Sequence, residues 1–138
     1  MSIVYIDGPV GVGYSPQIEG QSLNDEISAA DNLEALRAFF SWNSNELKKD
    51  IYLGGESYGG VYVPYLAKAI LQHNEYRNYP FINLKGIIVG NGLTSWKHDT
   101  MVSLMKIAFP FGLIDYDTNE RLKEANCNFA DKGSPPLT

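Results

Sequence analysis

Ser57 lies in a sequence context that suits nucleophilic catalysis. It is the central residue of the spacing Gly-x-Ser-x-Gly over residues 55–59, directly after a short apolar run at residues 51–53. A helix-forming stretch follows at once, and its apolar residues recur at helical spacing: Val61, Tyr65, Leu66, Ala69 and Ile70. A strand, this serine spacing and a helix together are typical of a nucleophile elbow, which exposes the serine oxygen at the carboxyl edge of a sheet. We therefore predict Ser57 as a catalytic nucleophile.

The two residues beside the serine, Glu56 and Tyr58, are further candidate site residues. The backbone N–H of Tyr58 is predicted to form half of an oxyanion hole at the N-terminus of the following helix. The Tyr58 ring either lines a substrate pocket or packs in the core, and the sequence does not separate these roles. A charged Glu56 would oppose the negative charge of an acyl-transfer intermediate, whereas a protonated Glu56 could donate a hydrogen bond.

A serine hydroxyl needs a neighbouring base, and the two histidines of the chain do not provide one. His73 and Glu75 fall near the far end of the helix that starts at the serine. At about 1.5 Å per residue they lie roughly 20 Å or more from Ser57. His98 follows a predicted strand, and we interpret it as a solvated loop residue rather than a cleft residue. The base and its acid are therefore predicted to be missing from this chain.

Three motifs resemble those of the serine carboxypeptidases, acid-active peptidases with the α/β-hydrolase fold, and they occur along this chain in the same order as in that family. Residues 55–60 resemble the serine motif of that family. Residues 4–15 resemble its Asp-x-Pro-x-Gly-x-Gly-aromatic-Ser loop, and residues 83–92 resemble its strand that ends in Gly-Asn-Gly. The resemblance implies an acyl-enzyme on Ser57. It also implies that Glu56 helps to hold the C-terminal carboxylate of a peptide, and that Tyr58 lines the pocket for the residue before the scissile bond.

The resemblance is incomplete over 138 residues. Family members run to several hundred residues, with a glycine-rich oxyanion loop upstream and a catalytic Asp and His downstream. We therefore expect an internal fragment of a serine-type carboxypeptidase, inactive alone, whose complete form releases C-terminal residues from peptides. Two alternatives stay open: a serine carboxypeptidase-like acyltransferase, and a non-catalytic truncated hydrolase-like protein.

The elements that must position these residues alternate between strand and helix. Strands are predicted at residues 2–6, 50–53 and 84–90, all parallel and joined by crossover helices. The spacing Ser22-x-x-Asp25 predicts a cap for the first helix. Pro64 predicts a kink in the second helix or the first turn of it. The predicted fold class is α/β, a partial α/β-hydrolase fold with three parallel strands and the start of a helical cap insertion.

The chain is predicted to divide into three segments: a partial core with the nucleophile elbow at 1–93, the start of the helical cap insertion at 94–130, and a flexible tail at 131–138. Within the second segment, helices are predicted near residues 100–109 and 117–127, the latter capped by Asp117 or Thr118. A narrow parallel sheet leaves edges and apolar surface uncovered. The isolated chain is therefore expected not to fold stably.

Composition and charge exclude several classes of partner. The net charge is −5 and basic residues do not cluster, so nucleic acid is not expected. No apolar run approaches the length of a bilayer span, and no signal peptide is recognised. The glycine loop at residues 8–13 precedes its helix by some ten residues, which does not suit phosphate binding. Asp7 is expected to bond the amides of this loop.

Cys127 is the only cysteine in the sequence. It is either a small buried hydrophobe or, as the resemblance implies, half of a disulfide whose partner lies outside this chain. The resemblance also implies peptide substrates with a free C-terminal carboxylate, no metal or organic cofactor, and a lysosomal, vacuolar or extracellular location. The sequence does not indicate an oligomeric state.

Overall fold

The computed structural model describes residues 2–17, 19–20, 22–76, 79–95, 99 and 107–125. The elements described over their whole length are α1 (Asp25–Trp42), a 3-10 helix (Ser44–Lys48), β1 (Ile51–Glu56), α2 (Gly59–Glu75), β2 (Leu84–Gly90) and α3 (Tyr116–Glu124). Residues 107–108 are also helical. The chain forms two compact units, Met1–Gly92 and Leu93–Leu137, and each is described separately.

In the first unit, β1 and β2 form a parallel two-stranded sheet in which Leu53 pairs with Ile87 and Glu56 with Gly90. Helix α2 connects the strands and packs on both of them, and α1 packs on α2. Buried apolar side chains from these elements and the segment before β2 form one core: Leu36, Phe40, Leu53, Val63, Leu66, Ile70 and Ile82. The second of the two predicted parallel β–α–β crossovers is confirmed, and so is the α/β class.

The third strand, predicted at residues 2–6, does not form. Residues 2–8 have no regular secondary structure, and Ile3, Val4 and Tyr5 are exposed. Strands β1 and β2 pair with each other, and an apolar segment becomes a strand only where a neighbour satisfies its backbone hydrogen bonds. The segment instead lines an open cavity of about 460 Å³ together with one face of α1. The pattern of residues 2–6 thus indicated β-propensity but not a pairing partner.

The cap predicted for the first helix is also wrong. Asn24 caps α1, because its backbone is extended and its Oδ1 accepts a hydrogen bond from the N–H of Ile27 at 2.8 Å. Ser22 lies two residues too early to reach the same amide group. Pro64 lies inside α2, beyond its first turn, so of the two alternatives predicted for it the first-turn position is wrong. Both helices form as predicted, and the differences concern where each of them begins.

In the second unit, a turn at residues 109–112 precedes α3. The Phe109 ring meets the Tyr116 ring edge to face, with centroids 6.1 Å apart. Asp115 caps α3 in place of the predicted Asp117 or Thr118, because its extended backbone puts Oδ1 2.7 Å from the N–H of Thr118. Hydrogen bonding with Thr118 lowers the pKa of Asp115. The predictions for His98, Cys127, residues 100–106 and the tail at 131–138 concern positions outside the described residues.

Candidate active site

Ser57 occupies the reversal between β1 and α2. The strand ends at Glu56 and the helix begins at Gly59, so that only Ser57 and Tyr58 make the turn. Ser57 has φ of 58°, in the left-handed region that residues with a Cβ rarely adopt. It is exposed at the carboxyl end of the sheet. The structure therefore has the strand–serine–helix geometry of an elbow, with backbone strain concentrated at the candidate nucleophile.

Backbone hydrogen bonds hold this turn from both sides. The N–H of Ser57 donates to the carbonyl of Gly90 at the end of β2, at 3.1 Å. The carbonyl of Ser57 accepts from the N–H of Gly60 at 3.0 Å. The carbonyl of Tyr58 accepts from the N–H groups of Val61 and Tyr62, at 2.9 and 3.2 Å. The main chain at residues 57 and 58 is thus tied to β2 and to the first turn of α2.

Close backbone packing explains some of the glycines around the turn. A Cβ on Gly55 would lie 2.8 Å from Cγ2 of Val63 and 3.0 Å from Cα of Gly59. A Cβ on Gly92 would overlap Val89 and lie 3.1 Å from Cα of Gly60. By contrast, a Cβ on Gly59 would meet no atom within 4 Å. Of the two glycines in the Gly-x-Ser-x-Gly spacing, the packing therefore requires the one at position 55.

Tyr58 is half-buried between the elbow and α1. Its phenol donates a hydrogen bond to Oδ2 of Asp25 at 3.3 Å, and its ring meets the Tyr62 ring edge to face at 4.8 Å. Burial, and then the negative charge of Asp25, raise the pKa of Tyr58. The same two causes raise the pKa of Tyr62. Sequence reasoning did not identify Asp25 as a neighbour of Tyr58, because 33 positions separate the two residues.

Glu56 is the last residue of β1 and immediately precedes Ser57 at the same edge of the sheet. It is exposed, and among the described residues it forms no salt bridge. The side chain is therefore available to a ligand that approaches Ser57. Asn91, the residue after β2, is also exposed and has φ of 44°, which fits a residue that closes the turn after the strand.

His73 lies at the opposite end of α2 and is buried there, with Nε2 2.9 Å from the carbonyl oxygen of Pro80. Its neighbour Asn74 bonds both the N–H and the carbonyl of Ile82, at 3.0 and 2.7 Å. From the helix length, His73 lies on the order of 20 Å from Ser57. His73 therefore fixes the connection to β2 and does not serve as the base of the site, as the sequence predicted.

The glycine loop before α1 is held by Asp7, as predicted. Oδ2 of Asp7 accepts a hydrogen bond from the N–H of Tyr14 at 3.0 Å, and its carbonyl accepts from the Ser15 hydroxyl at 2.6 Å. Helix α1 begins only at Asp25, so its N-terminus does not open from this loop. Within the described part of the chain, no cluster of His, Cys, Asp and Glu is placed to hold a metal ion, and no helix is long and apolar enough to cross a membrane.

Comparison with known proteins places these observations beside one family. A family model described as serine carboxypeptidase matches residues 1–135. The lysosomal protective protein of Mus musculus is 34% identical over 140 residues, which cover 97% of this chain and 28% of that protein. Serine carboxypeptidase-like 46 of Arabidopsis thaliana is 36% identical over 132 residues, which cover 94% of this chain and 28% of that protein.

A solved structure gives the same comparison for the fold. The prohormone-processing carboxypeptidase Kex1(delta)p of Saccharomyces cerevisiae matches with a TM-score of 0.65 at 24% identity. The match covers 90% of this chain and 30% of that one. This chain therefore spans somewhat less than a third of the length of the relatives it resembles.

Proposed function

The chain belongs to the serine carboxypeptidase family, and we propose that it is the nucleophile-bearing segment of a serine-type carboxypeptidase. The complete enzyme would cleave the last peptide bond of a substrate through an acyl-enzyme on Ser57. The observation that carries this proposal is the placement of Ser57, strained and exposed between the end of β1 and the start of α2. Such a turn presents a hydroxyl to an incoming carbonyl group.

The chemistry follows from that placement. Oγ of Ser57 attacks the scissile carbonyl carbon while its proton passes to a histidine base, which the family resemblance assigns to the remainder of the protein. The bond from carbon to nitrogen then breaks, and the leaving amino acid takes that proton. Water hydrolyses the resulting ester and frees Ser57. The backbone N–H of Tyr58, at the N-terminus of α2, stabilises the oxyanion, and loss of such a donor typically costs about 10² to 10³ in rate.

Glu56 gives the proposed preference for C-terminal residues. It lies one residue before Ser57, at the sheet edge and open to solvent. A carboxyl group in its protonated form can donate a hydrogen bond to the terminal carboxylate of a peptide, and such a pair shares one proton. This sharing requires acidic conditions, which fits a lysosomal, vacuolar or extracellular enzyme. The name of the mouse relative supports the first of these locations.

Substrates that differ only at their ends test this proposal. For this test, the 138-residue sequence replaces the matching segment of a full-length relative such as the mouse protein. Measurements in the full-length context are measurements on this chimera. We expect hydrolysis of a blocked dipeptide with a free carboxylate, little hydrolysis of the same dipeptide as its amide, and labelling of Ser57 by an active-site-directed phosphonate.

Other results of the same assay would replace the proposal. Faster transfer from an activated acyl ester to an alcohol than hydrolysis of the dipeptide would identify an acyltransferase, since the elbow serves both reactions. A folded chimera whose Ser57 resists the phosphonate would identify a non-catalytic protein.

The Glu56→Gln variant tests the substrate class separately. In the full-length context we expect KM for the free-carboxylate dipeptide to rise about 10-fold or more, since the hydrogen bond of a proton-sharing carboxyl pair is replaced by a weaker one from an amide. We also expect the preference for acid pH to weaken. Glu75→Gln is the matched control, because Glu75 is exposed at the far end of α2. An unchanged KM together with an unchanged pH preference in Glu56→Gln would rule out the role of Glu56.

A further inference from the structure

We propose that Asp25 is a positioning residue that holds the Tyr58 ring beside Ser57 and so tunes the pocket for the substrate residue before the scissile bond. The proposal rests on the proposed function of the elbow. The structural evidence for the role of Asp25 is the hydrogen bond from the Tyr58 phenol to Oδ2 of Asp25, at 3.3 Å. This bond connects the residue after the nucleophile to the first turn of α1, 33 positions earlier in the chain.

The main chain of Tyr58 does not depend on Asp25. Its carbonyl is bonded to the N–H groups of Val61 and Tyr62, and the preceding residue is bonded to the end of β2. The ring, in contrast, depends on side-chain contacts, which among the described residues include the edge-to-face contact with Tyr62 at 4.8 Å and the hydrogen bond to Asp25. Loss of Asp25 would therefore remove the contact that fixes the phenol and leave the oxyanion donor in place.

Asp25 is itself well placed to act as an anchor. It is the first residue of α1, directly after the cap Asn24, where a negative charge interacts favourably with the helix N-terminus. Helix α1 is fixed to α2 through the core residues Leu36 and Phe40. The anchor is thus part of a packed helix rather than of a loop, which limits how far its carboxylate can follow a displaced ring.

The neighbouring Glu26 provides a matched comparison. It lies in the same first turn of α1 and carries the same charge, but it is exposed, whereas Asp25 is half-buried. A change at Glu26 removes the favourable interaction with the helix N-terminus alone. A change at Asp25 removes this interaction and also the contact with Tyr58.

A double-mutant cycle in the full-length context tests the proposal. Asp25→Ala and Asp25→Asn are made alone and with Tyr58→Phe, and kcat/KM is measured on two blocked dipeptides with Phe or Ala before the scissile bond. Because the bond is long, we expect Asp25→Ala to lower kcat/KM for the Phe substrate by only about threefold to tenfold, mainly through KM. For the Ala substrate, and for either substrate in the Tyr58→Phe background, we expect changes below about twofold.

Three results would overturn the inference: equal losses on both substrates, equal losses with and without the Tyr58 hydroxyl, or the same loss in Glu26→Gln. Each would show that Asp25 acts only through the stability of α1. The melting temperature of every variant is measured. If Asp25→Ala does not fold, Tyr58→Phe alone removes the same hydrogen bond and should give the same loss on the Phe substrate.

A spectroscopic measurement separates this inference from the proposed function. Among the described residues, the groups whose charges act on the Tyr58 phenol include Asp25, Tyr62 and Tyr65. We expect Asp25→Ala to lower the pH midpoint at which the Tyr58 phenol ionises. The signal of Tyr58 is assigned by repeating the Asp25→Ala change in the Tyr58→Phe variant, in which Tyr62 still responds to Asp25, and subtracting that result. If the chimera hydrolyses no peptide but this shift is found, the proposed function fails and the contact is confirmed. If the midpoint does not move, the positioning role of Asp25 is wrong.

Discussion

The polar residues at the two ends of α2 differ in their exposure and in their hydrogen bonding. At the N-terminal end, Ser57 is exposed and holds a strained backbone angle. At the C-terminal end, His73 is buried against the carbonyl of Pro80, and Asn74 satisfies both backbone groups of Ile82. The serine just before α2 and the histidine near its C-terminal end therefore have unrelated surroundings. Exposure and backbone strain, rather than residue type, therefore distinguish the candidate site from a structural contact.

The largest expected effect is at the N-terminal end. In the full-length context, Ser57→Ala should lower kcat for peptide hydrolysis by about 10⁴-fold or more, because no other group provides the nucleophile. Ser15→Ala is the matched control, since Ser15 also lies in a glycine-rich loop but donates to the carbonyl of Asp7. Steady-state assays of both variants check this. Comparable losses in the two would mean that the strained turn does not mark the site.

Gly55 should show a large effect on stability at the same end. Its Cβ would lie within 3.0 Å of both Val63 and Gly59, so Gly55→Ala must move the start of α2 away from β1. We expect a loss of about 1–3 kcal/mol in the free energy of unfolding, measured by denaturant titration in the full-length context. Gly59→Ala is the control, and because its Cβ meets open space it should be neutral or stabilise by up to about 1 kcal/mol. The reverse order of the two variants would contradict the packing described for the elbow.

At the other end of α2, the expected effect is on stability without activity. Asn74→Ala leaves the N–H of Ile82 without its side-chain acceptor, while the carbonyl of Ile82 keeps its hydrogen bond from the N–H of Leu84. We therefore expect a loss of about 1–2 kcal/mol in the free energy of unfolding. Activity per folded molecule should stay within about twofold, since the site is a helix length away. Gln72→Ala, an exposed position in the same turn, should change neither quantity. A selective loss of activity in Asn74→Ala would erase the distinction between the two ends.

Much of the elbow could be predicted because its signals are local. The serine spacing, the short strand before it and the helical periodicity after it lie within about twenty residues, and right-handed parallel crossovers follow from general rules. Residues 51–56 and 84–90 form strands that pair with each other in parallel. The conclusion that His73 lies too far from Ser57 to be its base also followed from helix length alone.

What could not be predicted depends on contacts between distant parts of the chain. Residues 2–6 have the composition of a strand, but composition does not provide a neighbour with which to pair. The contact of Tyr58 with Asp25 joins residues 33 positions apart, and no spacing rule connects them. Several polar residues near the start of α1 could cap the helix. Asn24 is the cap because its backbone is extended and its side chain reaches the N–H of Ile27.

The smallest expected effect concerns how the N-terminal end of α2 responds to alkaline pH. Burial and the charge of Asp25 raise the pKa of Tyr58 above its ordinary value of 10.0, so the folded state holds this proton more tightly than the unfolded state. The resulting stabilisation is present below pH 10 and is lost as the pH rises through the raised pKa. Tyr58→Phe should therefore show a shallower decline in the free energy of unfolding above pH 10, measured by denaturant titration across that range. Tyr76→Phe, which removes an exposed tyrosine just after the C-terminal end of α2, should keep the original profile. If the two variants decline alike, the Tyr58 phenol is not held in the folded state as described, and the contact that distinguishes this end of the helix is absent in solution.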